Sequence, residues 1–233
     1  MSGLKILSGG AAQGLVASLT PALKTQTGFD ISGEFGAVGV MADKLRKGAP
    51  ADLVILTAAL LAKLADEKLV ITDSIADVGL VETALAVRAG DPEPTAGDAA
   101  GLRNVLLAAD AIFVPDTSAS TAGIHVAKVL QQLGIADEVA DRLQVFPNGA
   151  TAMRELAAST AQRPIGCTQS TEIISTKGVT LCGPLPPGCE LATMYAAGIT
   201  TIAGHPQQAR RLIELLTGAS QRGQRSCAGF ISS

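Results

Sequence analysis

The chain has 233 residues, of which 47% are hydrophobic and 17% charged, and its formal net charge is −3. This length allows two lobes or one large α/β domain, since single domains commonly have about 100–150 residues. Five Phe, one Tyr and no Trp offer few surfaces for base stacking, and Lys and Arg form no cluster, so we expect no nucleic-acid partner. No apolar run approaches the roughly 20 residues that span a bilayer, so we expect no membrane insertion.

The first third of the chain alternates strand and helix patterns. In chain order these patterns predict a strand over 4–7, a helix through Leu15, Leu19 and Leu23 that ends at Gly28, a strand over 30–35, a helix over 41–46, a strand over 52–56 and a helix over 58–67. Such a βαβαβα series implies a parallel sheet with helical crossovers. Residues 75–87 then indicate extended chain, and a surface turn follows at 90–94.

A second α/β series occupies the rest of the chain. It predicts helices over 102–109, 122–133, 136–143, 151–158 and 206–216, strands over 111–114, 144–146, 164–167 and 179–181, and extended chain over 192–203. We therefore predict an α/β fold of two lobes, each a mainly parallel sheet flanked by helices, joined by two crossover strands. Lobe 1 would comprise residues 1–82 and 195–233, lobe 2 would comprise 83–194, and a ligand cleft would lie between them.

Loops of small residues follow five of the predicted strands. Helix N-termini present unpaired N–H groups and a partial positive charge, so several such loops at the carboxyl ends of strands predict a site for a small anion. Any one loop alone is ordinary turn and capping chemistry. The candidate ligand-binding residues are Gly10, Ala11, Gln13, Val38, Gly39, Ser120, Thr121, Ala122, Gly149, Thr168 and Gln169. We expect a small anionic ligand as partner, and neither a cofactor nor a metal.

The chain start and the cysteines bear on location. Met1-Ser2-Gly3 leads directly into the first strand, without a basic segment and apolar run before it, so we expect a cytoplasmic protein, or a periplasmic one if a signal was removed. The spacing of the cysteines matches no common zinc or redox motif, and free thiols are expected in a reducing compartment. A Cys182–Cys189 bridge becomes conceivable only if the protein is exported.

Several segments together resemble the molybdate-binding solute-binding proteins. They are Phe35-Gly36-Ala37-Val38-Gly39, the run from Lys47 to Leu53 with its Gly-Ala-Pro-Ala-Asp sequence, Thr121-Ala122-Gly123-Ile124 with Leu130-Gln131-Gln132-Leu133-Gly134, and the early Ala11-Ala12 loop. The similarity runs over nearly the whole chain in the expected order. It implies a type 2 periplasmic-binding-protein fold, with an oxyanion held between two lobes by serine hydroxyls and backbone N–H groups.

Three positions depart from that family. Ala11 and Val38 stand where the family places two ligand-binding serines, and Gln169 stands where it often has a binding tyrosine. Each lost charge-assisted hydrogen bond would weaken oxyanion binding by about 1.5–3 kcal/mol. We therefore expect a small polycarboxylate to be preferred over molybdate.

One branch similar to these proteins is catalytic: aconitate isomerase shifts a double bond in an unsaturated tricarboxylate on the same scaffold. This reaction needs amide donors for the charge that develops after proton removal, and one acid/base group. His125, three residues after Ala122 on the same helical face, and Glu172 are the candidate catalytic residues. A hydrogen-bonded core histidine and a helix-capping carboxylate are the alternative interpretations. Cys167 is a third candidate, while His205 is typical of a helix start.

Three interpretations of function remain open. The first is a cytosolic isomerase or related lyase that acts on a small unsaturated di- or tricarboxylate such as aconitate. The second is a non-catalytic solute-binding or sensor protein for a small oxyanion or carboxylate. The third, the effector-binding half of a regulator, lacks a helix-turn-helix or basic segment before Leu4. We take the isomerase as the working hypothesis; the ligand, the acid/base residue and the oligomeric state stay open.

Overall fold

A computed structural model describes residues 3–231 and shows a chain of alternating strands and helices, which confirms the predicted α/β class. The strands in this range are β1 (Gly3–Gly9), β2 (Asp30–Gly36), β3 (Leu53–Thr57), β4 (Ala76–Arg88), β5 (Ala111–Pro115), β6 (Leu143–Phe146), β7 (Pro164–Gln169), β8 (Val179–Pro184) and β9 (Ala192–Ile199). The helices are α1 (Gln13–Thr27), α2 (Val38–Arg46), α3 (Ala58–Asp66), α4 (Ala99–Ala108), α5 (Thr121–Gln132), α6 (Gly149–Ala158), α7 (Ser170–Ile174), α8 (Pro206–Thr217) and α9 (Arg222–Cys227).

The described residues fold into two compact units. Unit 1 runs to residue 81 and resumes at residue 193, and unit 2 comprises residues 82–192. In unit 1, β1 pairs in parallel with both β2 and β3, and β9 runs antiparallel to β3. The predicted parallel βαβαβα series is thus confirmed.

Unit 1 has an aliphatic core, as the shortage of aromatic residues requires. Leu4, Ile6 and Leu7 of β1 and the apolar stripe of α1 belong to it, and Tyr195 and Phe230 are its buried aromatic members. The stripe ends where Gly28 takes a left-handed conformation with φ 75° after the last turn of α1. Glycine adopts this conformation at little cost, which explains why the helix ends where the sequence predicts.

Unit 2 is a mixed sheet with helices on both faces. β5 pairs in parallel with β6 and with β7, while β4 runs antiparallel to β7 and to β8. Successive residues of β4 enter different clusters: Leu85 packs with Val126 of α5, whereas Ala84 packs with Met153 of α6. Because strand side chains alternate between faces, α5 and α6 cover opposite faces of this sheet.

Some local predictions were wrong. The helix predicted over 136–143 is a series of turns, a short 3₁₀ turn at Ala140–Arg142 and the first residue of β6. One turn already buries Ile135 and Val139, and the Arg142 guanidinium donates to the carbonyls of Leu107 and Ala109, so no further helix forms. Residues 200–203 form a turn instead of extended chain, and α7 and α9 were not predicted. Within residues 3–231, no helix has the length and apolar character that crossing a bilayer requires.

Candidate functional site

In unit 1, the predicted loops collect at one edge of the sheet. Gly9 and Gly36 pair at the ends of the parallel strands β1 and β2. After these strands the chain enters a 3₁₀ turn at Gly10–Ala12 that leads to α1, and the first turn of α2. Gly10, Ala11 and Val38 are buried, Gly39 is half-buried and Gln13 is exposed. The structure thus brings the predicted residues of unit 1 to the carboxyl ends of two adjacent strands.

In unit 2, the carboxyl ends of β6, β5 and β7 lie side by side because these neighbours are parallel. Ser120, Thr121 and Ala122 form the start of α5 after β5, and Gly149 begins α6 after β6. Thr168 and Gln169 end β7, where both are buried. All six predicted ligand-binding residues of unit 2 therefore lie along one edge of its sheet.

The helix N-termini differ in how their N–H groups are satisfied. A side chain at the N-cap accepts a first-turn N–H in α3, α4 and α6, through Thr57, Asp98 and Asn148 respectively. No such cap is present in α1, α2 and α5, whose N-cap residues are Ala12, Ala37 and Ser120. α8 also lacks a side-chain cap but begins at Pro206, which has no N–H to satisfy. α7, at the predicted loop after β7, and α9, which lies at none of these loops, also have no side-chain cap. The starts after β1, β2 and β5 are uncapped and lie at predicted anion loops, where orphan N–H groups can bind an anion.

The start of α6 is occupied by the protein itself. The Glu172 carboxyl group, only 5% exposed, accepts the Thr168 hydroxyl at 2.6 Å and lies close to the backbone N–H groups of Gly149, Ala150 and Gln169. Burial raises the pKa of Glu172, and these donors oppose that rise. A Cβ atom on Gly149 would overlap Glu172 Oε2 and Thr168 Oγ1, so the close approach needs glycine. This geometry fits the alternative interpretation of Glu172 as a helix-capping carboxylate.

His125 also has an internal partner. Its Nε2 lies 2.8 Å from the Cys189 carbonyl oxygen, and Gln132, two turns later in α5, donates to the Gly188 carbonyl at 2.8 Å. Because a carbonyl can only accept, Nε2 carries the proton, and Nδ1 of the neutral ring is then an acceptor. The contact fits a residue that holds the 188–189 segment, and it also fixes the tautomer that a base acting through Nδ1 would need.

The other titratable candidates are placed less favourably for catalysis. Burial raises the pKa of the Cys167 thiol to about 12, so its reactive thiolate is scarce near neutral pH. The backbone N–H of His205 donates to Asp52 at 2.8 Å, and its ring packs edge-on against Phe29. All four cysteines are free. Within residues 3–231, no three His, Cys, Asp or Glu side chains are grouped so as to hold a metal ion.

Sequence reasoning missed two buried residues near these loops. Tyr195, the only tyrosine, packs so closely on Gly9 that a Cβ there would lie 3.0 Å from its ring and 2.8 Å from Val38 Cγ1. Thr83 lies opposite Gln169 in the β4–β7 pair and is buried. The rarity of tyrosine was a usable signal for the first. Nothing distinguished Thr83 within an otherwise strand-like run.

The chain belongs to the family of bacterial extracellular solute-binding proteins, whose profile matches residues 4–230. It is 26% identical to an aconitate isomerase from Pseudomonas sp in an alignment of 224 residues that covers 91% of this chain and 81% of that relative.

Two solved structures show the same fold. The Azotobacter vinelandii periplasmic molybdate-binding protein superposes with a TM-score of 0.81 at 19% identity over 99% of each chain. The sulfate-binding protein SubI from Mycobacterium tuberculosis superposes with a TM-score of 0.76 at 18% identity, over 99% of this chain and 86% of that one. These similarities confirm the predicted two-lobed periplasmic-binding-protein fold and the resemblance drawn from the sequence.

Proposed function

We propose that the protein binds a small unsaturated polycarboxylate and shifts its double bond. The observation that carries the binding part is the set of uncapped helix N-termini after β1, β2 and β5, beside helices that do have capping side chains. A carboxylate group at the start of any one of these helices can accept its N–H groups and interacts favourably with the positive end of that helix. Anion binding of this kind needs no cluster of Lys and Arg, which agrees with the composition.

The surroundings of these N–H groups favour a carbon skeleton over an inorganic oxyanion. Ala11 and Val38 offer no hydroxyl, and the Val38 side chain and the Tyr195 ring pack closely against Gly9. Apolar neighbours suit the carbon chain of an organic acid, while a tetrahedral oxyanion would lose donors at both positions. This contrast supports a polycarboxylate as the ligand class.

Calorimetric titration with trans-aconitate, cis-aconitate, citrate, molybdate and sulfate tests the ligand class. We expect the organic acids to bind and molybdate to bind weakly. A bound acid at 100 times its dissociation constant should also stabilise the protein by about 2.7 kcal/mol in thermal unfolding. Tight molybdate binding without any response to the organic acids would contradict the proposal.

The catalytic part is supported by the similarity to aconitate isomerase. In the proposed reaction a base removes a proton from the allylic carbon next to a carboxylate, and N–H donors stabilise the charge that spreads into that carboxylate. Return of the proton to the other end of the allylic system completes the shift, with no net change in atoms or electrons. We assign the base to His125 Nδ1, with Glu172 as the alternative.

Replacement of the imidazole tests this assignment. We expect His125→Asn to lower turnover of aconitate at least about 100-fold, since a positioned acid/base contributes 10²–10⁴-fold, with little change in affinity. Double-bond migration and deuterium uptake from D₂O, followed by NMR, measure the rate. Gln132→Ala is the matched control because it removes the neighbouring hydrogen bond to the same segment and keeps the imidazole. Equal losses in both variants would reduce His125 to a positioning role.

A second candidate, a non-catalytic binding protein, is favoured by one observation: both His125 and Glu172 already have hydrogen-bond partners within unit 2. The same NMR experiment separates the two candidates. Wild-type protein that binds an acid without migration or exchange would be a binding protein alone. The cytoplasmic location stays a prediction, which cell fractionation tests against the extracellular location that the family's description gives.

A further inference from the structure

The hydroxyl group of Thr83 is buried and forms no hydrogen bond with the described residues. The residue is 1% exposed, and among residues 3–231 its Oγ1 has no hydrogen-bond partner. Its backbone is fully engaged, since the N–H donates to the Leu191 carbonyl at 2.8 Å and the carbonyl accepts the Leu185 N–H at 3.1 Å. A buried hydroxyl without a partner destabilises a fold, and such groups call for an explanation.

The strand register shows which face of the sheet Thr83 occupies. Thr83 pairs with Gln169, and two residues further Leu85 pairs with Cys167. Leu85 and Cys167 belong to the cluster that includes Val126 of α5. Because side chains alternate along a strand, Thr83 and Gln169 also lie on the α5 face.

The start of α5 lies at the same edge of the sheet. Gly123, in its first turn, packs against the main-chain oxygens of Pro115 and Asp116, at the end of β5. β5 is the parallel neighbour of β7, which ends at Gln169. The uncapped α5 start and the unpartnered Thr83 hydroxyl therefore share one face and one edge of unit 2.

We propose that Thr83 Oγ1 donates a hydrogen bond to the ligand, while the first-turn N–H groups of α5 bind a different oxygen of the same molecule. This inference rests on the proposed function. β7 lies between β4, which carries Thr83, and β5, which leads into α5, so Thr83 and the start of α5 are separated by one intervening strand, and neighbouring strands are roughly 4.8 Å apart. An extended acid with separated carboxylates matches that spacing better than an oxyanion whose oxygens surround one atom.

The test compares Thr83→Val with Thr83→Ser and Thr200→Val, using trans-aconitate and citrate as probes in calorimetry. We expect Thr83→Val to weaken binding at least about tenfold and to raise the melting temperature of the free protein, because it removes an unpartnered buried hydroxyl. Thr83→Ser keeps the hydroxyl and should restore affinity. Thr200 is equally buried, but its hydroxyl donates to the Ala51 carbonyl, so Thr200→Val should lower the melting temperature and leave affinity unchanged.

Three outcomes would overturn the inference. Wild-type affinity in Thr83→Val, with the wild type binding the probes, would overturn it and leave the proposed function standing. Loss of both stability and affinity in Thr83→Val without rescue by Thr83→Ser would show that the residue acts only through packing. A wild type that binds neither probe would overturn the inference together with the proposed function.

Discussion

At the scale of single residues, the contact between Gly149 and Glu172 shows how a candidate ligand position acquires a structural role. The glycine allows the buried carboxyl group to reach two N–H groups of α6, and Thr168 adds a hydroxyl donor. Such a carboxyl group completes the cap that Asn148 begins. The stability of unit 2 should therefore depend on both residues.

Gly149→Ala should destabilise the protein strongly, because the added Cβ must displace Glu172 and Thr168 from a buried site. We expect a loss of about 2–4 kcal/mol in the free energy of unfolding, measured with urea. Gly223→Ala is the matched control: it also lies in a helix, and its Cβ would meet nothing within 4 Å. The Gly223→Ala substitution should leave the free energy of unfolding unchanged or raise it slightly. Equal stability of both variants would contradict the contact.

Glu172→Gln tests the state of the buried carboxyl group. Burial raises its pKa above the ordinary value of 4.5, so the folded protein holds a proton that the unfolded chain releases. Its stabilising contribution is then full below pH 4.5 and is lost as pH rises through the folded pKa. The free energy of unfolding of the wild type should fall relative to Glu172→Gln over this range in urea titrations. An increase with pH would mean that the four donors keep the carboxylate ionised.

At the scale of elements, the helices divide by how their starts are satisfied. α3, α4 and α6 have a side-chain cap, whereas α1, α2, α5, α7, α8 and α9 have none. A missing cap costs a helix about 1 kcal/mol. An anion bound at an uncapped helix start would accept its N–H groups and so stabilise that helix. Ligand binding should therefore stabilise these helices.

Ser120→Asp should stabilise the protein and weaken ligand binding. An aspartate at the N-cap of α5 can accept the first-turn N–H groups and adds a negative charge at the positive end of the helix, a gain of about 0.3–1 kcal/mol. We expect a higher melting temperature and at least about tenfold weaker aconitate binding by calorimetry. Asp98→Ser, which keeps a capping oxygen on α4, is the control and should leave affinity unchanged. Unaltered affinity in Ser120→Asp would place the anion elsewhere.

At the scale of the whole molecule, the two units have separate cores. One aliphatic cluster serves unit 1, and two smaller ones serve the faces of the sheet in unit 2. Asp52 connects separate segments of unit 1 near the amino-terminal ends of β1 and β3. Its carboxylate oxygens accept the backbone N–H groups of Lys5 and His205 at 2.8 Å. Separate cores imply that a local defect should loosen one unit before the other.

Asp52→Ala should therefore lower hydrogen-exchange protection first in β1 and β3 of unit 1. The part-buried N–H groups of Lys5 and His205 would lose their partner, and a fully buried donor without a partner costs about 1–3 kcal/mol. Amides of β5 and β7 in unit 2 should keep their wild-type protection, and Gly149→Ala should give the reverse pattern. Mass-spectrometric hydrogen exchange measures both variants. Equal loss of protection in both units would show that they unfold as one cooperative body.

Hydrophobic periodicity and turn residues are enough to determine the main elements of this protein. Strands β1 to β3 and helix α1 follow from local patterns, and Gly28 ends α1 as predicted. These features are local because backbone propensity and side-chain period act over a few residues. The same reasoning failed over 136–143, where burial of Ile135 and Val139 in one turn replaced a helix.

The sequence by itself also placed small-residue loops at the carboxyl ends of strands, which is the basis of the anion-site prediction. Only the tertiary structure decided which candidate groups already have a partner within the protein. Glu172 lies against the N–H groups at the start of α6, and His125 Nε2 forms a hydrogen bond with the Cys189 carbonyl. It alone revealed that Thr83 lies buried on the α5 face. The physical reason is that the packing of strands and helix faces determines which residues distant in sequence form hydrogen bonds. Residue spacing within one segment does not determine that packing.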